Sequence, residues 1–446
     1  MKVLIAGAGI GGLVAAGRLA DLGLDVEVIE KSSSIETMRY DWHDDVAPKI
    51  FRRVGIEIPK EHWKKGSWTF CTTGEAVVRE FQQDETDPDL SIERIPLNQT
   101  LADYATGKGA KIRFGAKVQG PIVKEGRVCG LVIDGKEEEA DFVLDSAGAY
   151  SPVRSNLPEE FKIAKFPGDD EVFEVYRAFV KKNEGFEDAV LQNKVYMKHL
   201  NKPGISWTIP DVSDSTCMNV LVGKIQGLSD EDLKEGLEDL RKFNPVLTDE
   251  VVRGGYKVRI PVRYPLTRMV ADGYAVIGDA AFMTIPMLGS GIASSMLSAT
   301  LLAETIGQSM SSGIKDGSMF DAKNLWGYQV RVYQEFGYQH LAVDVMKRWM
   351  LTCDFLDWLF GSKILSNSDL VSAASGQAIK LTAKFALQKM GVIKPKDLGK
   401  VLKMMPMLLR SNKAGNIGKR IPKKYCDKAI DCWGKKVFKI IEKSNG

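Results

Sequence analysis

The chain has 446 residues, 44% of them hydrophobic and 27% charged, the composition of a soluble globular protein with room for two or three domains. Its six scattered cysteines include no CxxC pair, which excludes a recognisable zinc or iron–sulfur framework and predicts reduced thiols, Cys426 and Cys432 included, and no bound metal. The net charge of +3 conceals an asymmetry: residues 361–446 hold 19 Lys+Arg against 5 Asp+Glu, a surplus of 14, so residues 1–360 carry about −11.

Residues 2–6 form an apolar run that predicts a strand, and Gly7-Ala8-Gly9-Ile10-Gly11-Gly12 follows it directly. A helix-forming run over 13–22 stops at Gly23, and a second strand, 26–29, ends on Glu30. In such a strand–turn–helix–strand unit Gly7 permits the tight turn, Gly9 lets the backbone approach a pyrophosphate, and Gly12 lets helix and strand pack closely. The free N–H groups at the helix start bind phosphate oxygens. Glu30 stands 18 residues after Gly12 and is placed to accept hydrogen bonds from a ribose 2′-hydroxyl, which favours FAD or NAD over NADP. The apolar start is this strand itself, with no cleavage site behind it. No signal peptide is therefore expected, and the protein reads as cytoplasmic.

Beyond Glu30, the cluster Arg39-Tyr40-Asp41-Trp42-His43-Asp44-Asp45 has no clear period. Residues 66–72 and 75–81 read as short strands about a Thr73-Gly74 turn, and 99–106 as a helix entered through Arg94-Ile95-Pro96-Leu97. Strands are expected at 111–114, 117–118 and 128–133, with a buried one at 141–145 ending in Ser146-Ala147-Gly148. A β-rich stretch follows, with strands at 172–180, 194–199, 205–210 and 218–224 and one helix at 230–243. The hydrophobic stretch 273–303 is no membrane span, because Gly278, Pro286, Gly289 and Gly291 break it into strand, loop and a helix over 293–306. The remainder reads as helical, with Trp349, Phe355, Trp358 and Phe360 ahead of a Met-rich stretch and the basic end. The expected fold is α/β. It comprises a Rossmann-type dinucleotide-binding domain (1–160 and 263–310), an interleaved antiparallel β-sheet substrate domain (161–262, with a contribution from 60–95) and a helical, basic C-terminal region (311–446).

Four separated pieces carry one chemistry. They are the glycine turn with Glu30; Arg94, within reach of a cofactor phosphate or ribityl chain; the segment from Asp145 to Arg154 behind a buried strand; and Gly278-Asp279 with Pro286-Met287-Leu288-Gly289-Ser290-Gly291-Ile292. A strand ending in Gly-Asp sets a carboxylate against ribityl hydroxyls. The turn from Gly289 to Gly291 opens a helix whose N-terminus favours negative charge on a reduced flavin pyrimidine. Across most of residues 1–310 the set resembles the flavoprotein superfamily of geranylgeranyl reductases, aromatic-ring hydroxylases and electron-transfer-flavoprotein:quinone oxidoreductases. The resemblance implies FAD, with Gly7, Gly9, Gly12 and Glu30 on the adenosine diphosphate. It assigns Arg94, Asp279, Gly289, Gly291 and Ile292 to the pyrophosphate, ribityl and isoalloxazine portions.

Within the superfamily, residues 291–299 are more similar to the reductase branch than to the hydroxylases. Ile205-Ser206-Trp207-Thr208-Ile209-Pro210 resembles the reductases' Tyr-x-Trp-x-Phe-Pro segment, with Trp207 and Pro210 matching and isoleucines in place of its two other aromatics. Trp42, Trp207 and Pro210 are expected in the substrate pocket, although a plain core position also suits Trp207. No Cys lies in 39–46, where the reductases often carry one, so a thiol-assisted step is not expected. The resemblance implies reduction of carbon–carbon double bonds in an isoprenoid or other apolar substrate by hydride transfer from flavin N5. The proton would come from water or from His43, which with Asp44 and Asp45 equally suits a loop cap. The alternatives are a flavin-dependent monooxygenase and an electron-transfer flavoprotein serving membrane quinone. No second dinucleotide motif is visible, which leaves NAD(P)H, ferredoxin or another carrier as electron donor. The basic end predicts an anionic partner, or a solvated face with none. With no aromatic-rich nucleic-acid module, nucleic acid is not expected, and a peripheral position on an anionic membrane surface, at its inner face, is.

Overall fold

The computed structural model describes residues 1–38, 40–81, 87–185, 193–362, 364–379 and 394–444; Arg39 and part of the basic end, 380–393, lie outside the described residues. A six-stranded sheet runs in the order Val270–Ala271, Tyr274–Val276, Phe142–Asp145, Lys2–Ala6, Asp25–Ile29, Lys111–Arg113. Its strands are parallel except at the Val270–Ala271 edge. A parallel sheet is covered on both faces, so its strands run almost wholly apolar; Val3, Leu4, Ile5 and Ala6 have no solvent exposure. The helix Ile10–Asp21 packs against the helices Arg94–Gly107 and Ile292–Ser311. In register, Ala6 lies beside both Ile29 and Asp145, and Asp145 beside Val276. The segments leaving these carboxyl ends, at Gly7, Glu30, Ser146 and Gly278, therefore meet at one edge, where ligands of such sheets bind.

A seven-stranded sheet runs in the order Leu247–Pro261, Val172–Lys182, Cys217–Ile225, Ile205–Pro210, Asn193–Met197, Trp68–Cys71, Val78–Phe81. It is antiparallel except where Asn193–Met197 meets Trp68–Cys71. The helix Asp230–Phe243, capped by Ser229 and Asp232, covers one face through the buried Leu240. The other face shares a core with the C-terminal helices, in which Phe173 and Leu221 join Met346, Leu356 and Met404.

Several boundaries differ from those the sequence predicts, for local reasons. The strand Leu247–Pro261 was not anticipated. It is an edge strand with Val251 and Val252 exposed, and a register shift opposite Ala178, beside Gly254 at φ +73°, breaks its alternation. The helix expected to start at Gln99 begins at Arg94, since Pro96 falls in the first turn, where a missing N–H costs nothing. The cluster around Trp42 holds a short strand, His43–Val46, paired with Leu90–Glu93. His199 lies in a 3₁₀ turn beyond Asn193–Met197 rather than on that strand. Residues 273–303 resolve into the strand Tyr274–Val276, the turn Gly278–Ala281 and the start of Ile292–Ser311, and among the described residues no helix is long and apolar enough to cross a membrane. The final helix, Asp427–Glu442, returns Trp433 and Val437 to the core of the six-stranded sheet.

Candidate active site

The helix Ile10–Asp21 starts from Gly9 with no side chain capping its first turn, so those N–H groups stay available to a ligand. Gly7 sits at φ +92°, and a Cβ on Gly12 would stand 2.3 Å from the Gly7 carbonyl oxygen, so both positions require glycine. Glu30 is buried beside the turn, its carboxylate accepting from the Ala8 and Ser32 backbone N–H groups at 2.9 Å each. The Ser146 loop closes the other side, with its carbonyl oxygen 3.8 Å from the Cβ position of Gly9. Asp145 pins this loop. Wholly buried, it accepts from Ser151 Oγ, the Ala147 and Arg154 backbone N–H groups and the Tyr274 hydroxyl, at 2.6–3.1 Å.

Further along the same edge, Arg94 Nη1 donates to Asp44 Oδ2 at 3.1 Å, while its buried Nε has no acceptor among the described residues. Asp279, in the turn Gly278–Ala281, is half-buried, and its carboxylate accepts no hydrogen bond from the described residues. Burial pushes its carboxyl up, and nearby Arg94 opposes that shift. A Cβ on Gly291 would stand 2.8 Å from Asp279 Oδ1, so glycine keeps this carboxylate open. Gly289 turns the chain at φ +76°, and Ile292 begins the helix Ile292–Ser311, whose first turn also lacks a side-chain cap. A guanidinium N–H without an acceptor, a carboxylate without a donor and two uncapped helix starts on one edge fit the phosphates and polyol of FAD.

The remaining candidates fall at the junction with the larger sheet. His43 is buried, with Nδ1 2.9 Å from Ser91 Oγ and its ring edge-on to Phe179. Its Nε2 faces Asp211 Oδ1 at 3.5 Å without forming a hydrogen bond. Burial alone would raise the Asp211 carboxyl, but His43 and Ser213 outweigh it and hold it down to about 2. Trp42 stacks on Tyr256, and Trp207 donates from Nε1 to Asn219 Oδ1 at 3.2 Å. Between the two indoles lies Arg177, its guanidinium 5.0 Å from Trp42 and 5.3 Å from Trp207. Arg177 donates to Asp44 Oδ1, Asn219 Oδ1 and the His43 carbonyl oxygen, so Asp44 bridges Arg94 and Arg177.

An apolar cleft opens elsewhere. Phe173, Ile205 and Ile225 line it from the sheet, Met350 and Leu356 from the C-terminal helices, and Pro286 and Met287 from the turn leading to Gly289. His43, Trp42, Trp207 and Pro210 do not line this cleft; Trp42 and Trp207 hold a buried cation between them. Sequence reasoning passed over Arg177, whose signal was a lone cation on the inward side of an apolar strand, and Met287, which lies inside a quoted motif.

The description FAD binding domain names the family that matches residues 1–317. A digeranylgeranylglycerophospholipid reductase from Sulfolobus acidocaldarius is 24% identical over 387 residues, covering 83% of this chain and 82% of that protein. The enzyme of the same name from Methanothrix thermoacetophila is 27% identical over 330 residues, covering 70% and 78%. Among solved structures, a geranylgeranyl bacteriochlorophyll reductase-like protein from Thermoplasma acidophilum superposes with a TM-score of 0.71 at 18% identity, over 91% of this chain and 98% of the other. A flavin-dependent brominase shares the fold at a TM-score of 0.62 and 17% identity, over 84% and 94%. Since the family match spans most of the chain and covers each residue of the cradle, the chain belongs to this FAD-binding family and is an FAD-dependent oxidoreductase of the geranylgeranyl reductase and aromatic-ring hydroxylase-like superfamily.

Proposed function

We propose that this oxidoreductase reduces carbon–carbon double bonds in an isoprenoid chain or a similarly apolar substrate. The observation that carries the reading is the cleft: one of its walls, Pro286 and Met287, belongs to the same turn as Gly289 and Gly291 of the cofactor cradle. Its two cations are already engaged, Lys198 Nζ with the Cys353 carbonyl oxygen at 2.8 Å and Lys347 Nζ with Asp344 at 2.9 Å, which leaves an apolar surface. Burying each methylene of a substrate against this apolar surface is worth about 0.8 kcal/mol, which orients a chain without polar contacts. Bound FAD supplies the hydride in this chemistry. The residues of the chain hold the cofactor, align the double bond and exclude water. The names of the relatives point the same way.

The test mixes dithionite-reduced, FAD-loaded protein anaerobically with a geranylgeranylated lipid. We expect the oxidised flavin absorbance to return and mass spectrometry to show a pair of hydrogens gained per double bond. Reduced protein without lipid should reoxidise slowly in air. Unchanged lipid together with rapid reoxidation in air would instead make the protein an oxygen-using enzyme.

A further inference from the structure

The helix Leu398–Lys419 is apolar on two opposite sides. Val401, Met404, Met407 and Leu408 turn inward and are buried. Leu398, Leu402 and Leu409 turn outward, with exposures of 53%, 62% and 56%. At 3.6 residues per turn these three fall within about 40° of one another, so they form one stripe. Scattered exposed leucines need no explanation, but an aligned row of them does.

The charges on this helix are one-sided. It carries Lys400, Lys403, Arg410, Lys413 and Lys419 and no acidic residue. Beside its first turns stands a row of half-buried aromatics, with Trp349 and Trp358 each edge-on to Phe355 at 5.7 Å. Lys400 Nζ lies 5.4 Å from the Trp358 ring, and Lys403 Nζ lies 5.8 Å from Phe355. A surface cleft here is lined by Trp358, Ser362, Lys394, Lys396 and Lys400, with Asp397 as its carboxylate. The enclosed Trp358 Nε1 has no acceptor among the described residues. Two more acids lie nearby, Asp357 and Asp354, the latter 3.9 Å from Lys403.

We propose that this face docks the protein on an anionic phospholipid bilayer. The outward leucines enter the acyl boundary, the flanking cations meet lipid phosphates, and the Trp358 cleft takes a headgroup oxygen. Leucine, tryptophan and lysine in this arrangement are the composition of an interfacial helix. A second copy of the chain is a poorer occupant, because a two-fold contact through this stripe would set an acid-free helix against itself. The short helix Leu356–Gly361 links the face to the chemistry: Trp358 stands in the surface cleft while Leu356 lines the apolar cleft. Docking therefore brings a wall of the apolar cleft to the lipid surface, whichever apolar molecule enters.

The test is co-sedimentation of the full FAD-loaded chain with phosphatidylglycerol or phosphatidylcholine vesicles at low and high salt. The wild type should pellet with phosphatidylglycerol at low salt, and less with phosphatidylcholine or at high salt. Leu402→Asp with Leu409→Asp should abolish binding, and Lys403→Gln with Arg410→Gln should lower it about 30-fold. All these residues are exposed, so flavin absorbance and circular dichroism should not change. Three results would overturn the proposal: a wild type that ignores phosphatidylglycerol, a leucine variant that binds undiminished, or a wild-type dimer that the leucine variant turns into a monomer. Turnover of detergent-dispersed lipid does not need this face, so failure here leaves the reductase reading standing.

Discussion

Leaving the Asp279 carboxylate without a hydrogen bond from the described residues sets part of the free energy of binding aside for the cofactor. Burial raises its carboxyl above the ordinary value of 3.8, with Arg94 opposing. A raised carboxyl in the fold means that the flavin-free protein loses stability as pH climbs through 3.8 towards the folded value, and above that window the cost is fully present. Asp279→Asn should therefore stabilise flavin-free protein at pH 7 by about 1 kcal/mol and leave it unchanged at pH 3, as urea melts at the two pH values will show. The same change should weaken FAD binding about tenfold or more, read by fluorescence titration, because the carboxylate's bonds to the ribityl hydroxyls become weaker ones. Equal stability of the two proteins at pH 7 would mean that Asp279 carries no such cost. This residue was legible in the sequence because Gly-Asp after an apolar strand is a local pattern. His43 was not. Its surroundings are Ser91, Phe179 and Asp211, brought together only by the fold.

Elements divide along the same line. The glycine turn and its helix could be placed because Gly7, Gly9 and Gly12 answer to contacts within a span of a few residues. Four residues, His43–Val46, are too few to show a period, and the strand exists because Leu90–Glu93 offers it a ladder. Asp44 on that strand ties the cofactor edge to the larger sheet, 3.1 Å from Arg94 and 3.0 Å from Arg177. Arg177 is buried between two indoles, so removing its carboxylate partner leaves a poorly compensated cation. Asp44 is itself partly exposed, at 28%, which tempers the effect. Asp44→Ala should cost about 2 kcal/mol in urea unfolding and should release Arg94, weakening FAD retention on gel filtration. Asp44→Asn, which keeps one hydrogen-bond acceptor, should recover part of both losses. If alanine unfolds like the wild type, the bridge does not couple the two sheets.

At the scale of the whole molecule, composition revealed a basic C-terminal region but not that it is welded to the rest. The weld is a buried ionic junction of three chain segments. Glu171 lies just before the strand Val172–Lys182, Arg263 where the chain returns to the six-stranded sheet, and Asp344, Lys347 and Arg348 on the helix Tyr338–Thr352. Arg263 meets Glu171 at 2.6 Å, and Arg348 meets Glu171 at 3.1 Å and Asp344 at 3.0 Å. Lys347 meets Asp344 at 2.9 Å, and the backbone N–H of Tyr264 donates to Asp344 at 3.2 Å. Partners spread from residue 171 to residue 348 share no local pattern, so the junction could not be read from the sequence. Burial alone would raise the Asp344 carboxyl, but Lys347 and Arg348 outweigh it and leave it below 3.8. Its contribution to stability is thus present above 3.8 and lost as pH falls towards the folded value. Asp344→Asn keeps the volume and removes the charge, stranding Lys347 and one side of Arg348 in a dry core, at a cost of about 3–5 kcal/mol at pH 7. Against the wild type in urea, that gap should narrow as pH falls below about 4, where protonation takes the same charge from the native protein. The two sheets and the C-terminal helices should also unfold in one transition, because segments adjoining both sheets supply a partner to Asp344 or Arg348. A variant that kept its sheets folded while the C-terminal helices melted first would show that the junction joins surfaces able to stand apart, and the apolar cleft between them would then open before the fold is lost.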